Sequence, residues 1–211
     1  MGYVFMFFIL AMLFCWIFGI IVYIFQRKTR DKIFAYGIVA GTFMLIGALG
    51  FFGSAFLSCG GGRFLPNSFE WPMGFSEDVL ITSKNYYVVP HYATSRLQIY
   101  DNNLNFICGW YIEALTKPFR TMLLYNGNIL VKTADEKEYF FNLKGENISN
   151  NYNKLNPNSY KVLRKEKIKI SIPTFFPLYV FSSPVYSWCC SLLGGIMFGI
   201  LEKNFYYRNN Y

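Results

Sequence analysis

Residues 33–58 read IFAYGIVAGTFMLIGALGFFGSAFLS, without one Asp, Glu, Lys, Arg or His. At about 1.5 Å per helical residue such a run is long enough to cross the ~30 Å hydrocarbon layer of a bilayer. Two further stretches, at about 3–25 and 174–201, are equally free of charge. Together they predict an integral, multi-pass membrane protein whose first partner is the lipid bilayer. Intramembrane charged residues, the usual marks of a proton relay, ion path or voltage sensor, are missing from all three.

One continuous polar run, 60–172, separates the second and third stretches. It predicts a single small extramembrane domain between a helical hairpin (1–59) and a third helix with a short tail (173–211). Its Tyr, Phe, Asn and Lys content suits strands broken by turns, since aromatic residues fill strands while Asn and Gly accept left-handed turn positions. The fold class expected is α+β: three transmembrane helices plus a small antiparallel β-meander. The net charge of +8 is concentrated, with Arg27, Lys28, Arg30 and Lys32 in one short loop and Lys161, Arg164, Lys165, Lys167 and Lys169 just ahead of the third stretch. That placement points to membrane orientation and anionic headgroups, and away from nucleic acid as a partner.

Basic residues in short loops stay on the cytoplasmic side. The charge step across the first stretch therefore puts the N-terminus and the β domain outside the cell membrane, with the C-terminal tail inside. The 161–169 cluster opposes this assignment, but long segments translocate largely regardless of charge. Apolar residues ahead of basic ones also argue against a cleaved signal peptide. Phe56-Leu57-Ser58-Cys59-Gly60 has some likeness to a bacterial lipobox, but Leu57 stands where a small residue is usual, and Cys59 is expected as a plain thiol at the interface.

Gly37 and Gly41 stand four apart in the second stretch, as do Gly195 and Gly199 in the third. Small residues at this spacing let helix backbones approach closely, which predicts an antiparallel contact through these glycines or self-association through the same faces. Pro177 and Pro184 imply that the regular part of the third helix begins near Pro184.

Within the polar run the hydrophobic period changes to short strand runs at 79–82, 86–89, 97–100, 106–110, 121–125, 129–132 and 139–143, divided by turn residues. Asn126-Gly127 is the strongest hairpin signal and suits a type I′ turn. The units repeat at just over forty residues: Tyr86-Tyr87-Val88-Val89 aligns with Ile129-Leu130-Val131, and Leu97-Gln98-Ile99-Tyr100-Asp101 with Glu138-Tyr139-Phe140-Phe141-Asn142. Arg96–Asp101, followed after a polar turn by Phe106-Ile107-Cys108-Gly109-Trp110, resembles an NHL-type propeller blade. The resemblance covers residues 79–148 only. It implies two blade-like sheets, not a ring with a central channel, because closure takes about four to eight blades.

Chemistry is sparse. His91, the only histidine, follows Pro90 in what reads as an exposed turn, and no Cys-His or Ser-His-Asp arrangement accompanies it. The acidic residues alternate with lysines as on a solvated hairpin, so neither an enzyme nor a cofactor or metal site is expected. Cys59 and Cys108 are the one pair that an oxidising compartment could join. Trp71, Tyr86, Tyr87, Tyr92 and Trp110 are candidates for a binding surface, against the preferred reading of core or interfacial residues. Two functions fit: a membrane-anchored module whose outward sheet recognises a protein or cell-surface polymer, or an accessory subunit of a transporter or channel, with a protein partner or a second copy as its counterpart.

Overall fold

The computed structural model describes residues 31–114, 117–149, 162–163 and 168–210, with positions 14, 17–19 and 21. The first apolar stretch as a span, the basic loop at 26–30 and most of the 161–169 cluster lie outside the described residues. Two long helices are present, α1 (Asp31–Ser58) and α2 (Pro184–Asn210). Within them Tyr36–Ser58 and Pro184–Leu201 are long and apolar enough to cross a membrane. The later one is shorter than the apolar run that contains it. Phe176–Ser182 forms a 3-10 turn, and Pro184 takes the first helical position, where a missing N–H leaves no bond unmade.

Between the helices the chain forms two antiparallel sheets. Strands β1 (Phe75–Ile81), β2 (Tyr87–His91), β3 (Arg96–Tyr100) and β4 (Phe106–Tyr111) run as a meander. Strands β5 (Phe119–Leu124), β6 (Ile129–Thr133) and β7 (Glu138–Phe141) repeat it. The returning chain then supplies β8 (Val162–Leu163), which pairs with β5, and β9 (Ile168–Ser171), which pairs with β1. The sheets are thus ordered β4-β3-β2-β1-β9 and β7-β6-β5-β8, each with its first strand covered by a late one. A bridge between Phe141 and Asn147 begins, in the second sheet, the strand that β4 completes in the first. This is the two-unit repeat read from the sequence. The run at 161–171 was not expected as strand, because its lysines mask the Ile168/Ile170 alternation.

Five connections share one turn. In 82–86, 101–105, 124–128, 133–137 and 142–146 the first residue's N–H bonds to the fifth carbonyl and the fourth N–H to the first carbonyl. The fourth residue is left-handed each time: Asn85, Leu104, Gly127, Glu136 and Gly145. This is a three-residue hairpin loop with a glycine-type bulge. Asn126-Gly127 is therefore a hairpin as expected but not type I′, since Gly127 (φ 83) alone has a positive φ there. Leu104 and Glu136 carry the steric cost that glycine avoids. Glu136→Gly is expected to stabilise the protein by about 1 kcal/mol, less the entropy of a freer unfolded chain. Equilibrium unfolding in detergent measures it, and no change would mean the turn relaxes to relieve the strain.

The sheets pack face to face. Leu80, Val88, Leu97, Ile99 and Trp110 from the first meet Phe119, Leu123, Ile129, Val131 and Phe141 from the second in one buried cluster. Tyr100, Val79 and Val89 face the other way, where Met73 and Ile172 cover them.

Candidate functional site

Two places concentrate polar side chains, one on a sheet face and one at the far end of the strands. On the face of the first sheet turned away from the second, alternation along β3 puts Arg96, Gln98 and Tyr100 together, and all three are buried. They hold the segment that leaves α1. Arg96 donates through one Nη to the carbonyls of Pro66, Phe69 and Gly109 (3.0, 2.7 and 2.9 Å). Gln98 accepts from the Trp71 N–H and donates to the Trp71 carbonyl, as a strand would. Tyr100 accepts from Gln98 and donates to Glu70. Burial, then the neighbouring Glu70 carboxylate, pushes the Tyr100 phenol well above its usual range, so it remains a donor. Gly109 makes the room: a Cβ there would stand 3.0 Å from Gln98 Cγ and 3.1 Å from Arg96 Nε.

The first sheet is also tied to the segment that leads into α2. Trp71 Nε1 donates to the Phe181 carbonyl, and Gly74 N to Thr174 Oγ1. His91 is buried on β2, contrary to the exposed turn expected of it, with Nε2 3.0 Å from the Ser182 carbonyl and Nδ1 2.7 Å from Thr94 Oγ1. A carbonyl only accepts, so the neutral ring carries its proton on Nε2 and takes the Thr94 hydroxyl proton at Nδ1. Burial lowers the His91 pKa below 6.5, the Ser182 bond opposing it. The unfolded chain then binds a proton at a higher pH than the folded one. Its contribution to stability is full above about pH 6.5 and falls as the pH drops towards the depressed folded value. Unfolding midpoints measured down to pH 5 should show that decline in the native chain and a flatter profile in His91→Gln.

The aromatic candidates do not share a surface. Trp110 is core and stacks against Phe141, and Trp71 is half-buried in the joint. Tyr86 packs on the inter-sheet cluster, whereas Tyr87 packs on the opposite face of the same sheet. Tyr92 donates to Asp78 beside Phe119. Cys59 is buried, Cys108 half-buried, and both are free thiols.

Helices α1 and α2 do cross closely and antiparallel, but through other small residues. A Cβ on Gly47 would lie 2.3 Å from the Ser191 nitrogen, one on Gly50 2.1 Å from Ser187 Oγ, and one on Gly194 2.6 Å from the Ala40 carbonyl. Among the described residues no atom beyond the local helix lies within 4 Å of such a Cβ on Gly37, Gly195 or Gly199, and Gly37 and Gly41 are both buried. One residue turns a helix face by about 100°, which separates Gly195 from Gly194. Ser187-x3-Ser191 with Gly194 was the available signal, because serine serves as a small contact residue.

At the far end, the turns of both sheets converge. Because the strands alternate in direction, the 82–86, 101–105, 124–128 and 142–146 turns all lie away from the helices. Three of them enclose a groove of about 400 Å³. Thr82, Lys84, Tyr125, Asn128, Asn142 and Lys144 are among its lining residues. None of these positions stood out in the sequence, since the groove exists only once the two sheets pack. The chain matches no protein-family model, curated protein or solved structure. The molecule is thus a two-sheet antiparallel β unit carried on two apolar helices, and the blade likeness rests on its strand order and repeated turn alone.

Proposed function

We propose that this protein is a membrane-anchored binding module that displays its β unit outside the cell. The observation that carries the reading is polarity between the two ends of the β unit. Both apolar helices leave from one end, and the turn groove opens at the other. The apolar windows are only 33% and 11% buried, whereas the core helix of a soluble protein is mostly covered. Exposed Phe64, Phe175, Phe176 and Leu178 surround the joint, where an aromatic belt would meet the headgroups. In this reading the first apolar stretch is a third span.

Labelling on intact cells tests it. In a cysteine-free background, Asn103→Cys in a far turn should react with an impermeant thiol reagent while Thr29→Cys does not. The opposite pattern would invert the orientation. Recovery of both sites in the soluble fraction would remove the membrane altogether. The large uncovered apolar area of α2 favours the second reading, accessory subunit of a polytopic complex, and stable co-purification with such a partner in detergent would support it.

A further inference from the structure

We infer that the far groove binds an acidic oligosaccharide, a proposal that rests on the outward display argued above and specifies its ligand. At about 400 Å³ the groove falls within the size range of small-molecule sites. Its chemistry has one sign. Lys84 and Lys144 line it, no carboxylate does, and neither lysine has an ion-pair partner among the described residues. Lys117, Lys132 and Lys169 are matched, with Asp135, Glu138 and Glu77, while Lys137 at the other end of the strands has no ion pair among the described residues.

Tyr125 stands at the rim, 67% exposed, with no packing reason for an aromatic residue in a turn. Its ring offers a flat apolar face and a hydroxyl to a sugar ring. The hydroxyl of Ser83 adds a donor and an acceptor suited to a sugar hydroxyl, while the Asn142 carboxamide is held within its own turn by Glu146 and the Lys144 N–H. The lysines then select saccharides bearing carboxylate, sulfate or phosphate. The frame is preformed, since Asn85, Gly127 and Gly145 fix the three turns in left-handed closures. A peptide added as a strand would need an unpaired edge, which turn tips do not offer. Single-stranded nucleic acid would need successive stacking rings along a basic track, and the groove has one ring and two cations.

The test uses the full chain in detergent, titrated calorimetrically with tetragalacturonate and, separately, maltotetraose. The acidic probe should bind, weakening several-fold as salt rises from about 50 to about 300 mM. The double variant Lys84→Gln/Lys144→Gln should lose about tenfold or more in affinity, and Tyr125→Ala several-fold. Lys137→Gln, in the turn at the helix end, should bind as the native chain does. Equal binding of maltotetraose, no binding of tetragalacturonate at about 10 mM, or unchanged binding by the double variant would each overturn the proposal. The labelling experiment requires no ligand. Inward turns with binding intact would remove the display and leave the site, whereas outward turns without binding would remove the site alone.

Discussion

Gly47→Leu is expected to separate α1 from α2 and to cost about 3 kcal/mol, the upper end of what overpacking costs. The reason is backbone, not side chain. A Cβ at Gly47 would meet the Ser191 nitrogen at 2.3 Å and the Ser187 carbonyl at 2.4 Å, and neither can rotate away. The Ser191 hydroxyl, 3.4 Å from the Met44 carbonyl, and the buried Ser187 would lose the close approach that places them. Where lipid already satisfies apolar side chains, such close packing is what holds helices together. Gly199→Leu meets open space and should change stability by less than about 0.5 kcal/mol. The measurement is detergent-driven unfolding, with a Met44→Cys/Ser191→Cys disulfide as the reporter of proximity. It should form within one chain in the native background and be lost with Gly47→Leu. Equal losses from Gly199→Leu and Gly47→Leu would place the contact on a different face.

The sequence made the strands legible because each run is bounded by residues that tolerate left-handed backbone. Seven of the strands fall where alternation and turn chemistry put them, with bounds within two residues except that β1 begins four residues earlier. The exceptions have physical causes. β8 depends on partners about forty residues earlier and β9 on partners about ninety earlier, and their local composition reads as a basic, solvated run. Arg96, Gln98 and Tyr100 alternate with the core residues Leu97 and Ile99, and alternation cannot tell water from a polar segment of the same chain lying across the strand. His91 was misjudged for the same reason. Its partner Ser182 is supplied by a turn ninety-one residues away. The groove residues read in the sequence only as turn residues, Asn126-Gly127 most clearly, because the site is made by three turns and two sheets that meet only in the fold.

Arg96→Ala is expected to cost about 3–5 kcal/mol and to release the segment between α1 and β1. Arg96 is 1% exposed, and one Nη supplies the hydrogen bonds to three carbonyls, two of them from the irregular stretch at 66–69 that has little ladder of its own. Removing it leaves the buried Gly109 carbonyl without this donor, the costly half of losing a hydrogen bond, and frees the exposed 66–69 stretch, whose carbonyls can turn to water. The guanidinium is itself strained electrostatically: burial lowers its pKa, and its Nε and Nη1 are buried without a partner. A residue kept under that penalty has a geometric task, and here the task is to fix the exit of α1 against the sheet. Arg63→Ala is the internal control. Its ion pair with Glu113 is solvated, with the two side chains 44% and 46% exposed, and should be worth less than about 1 kcal/mol. Thermal unfolding measures both losses, and chymotrypsin reports the release, since Phe69 and Trp71 lie within the clamped segment. Arg96→Ala should be cut there well below its melting transition while Arg63→Ala stays protected. Comparable stability of the two variants, with the segment uncut in both, would mean that the linker is held by the Trp71 pairing to Gln98 and not by Arg96.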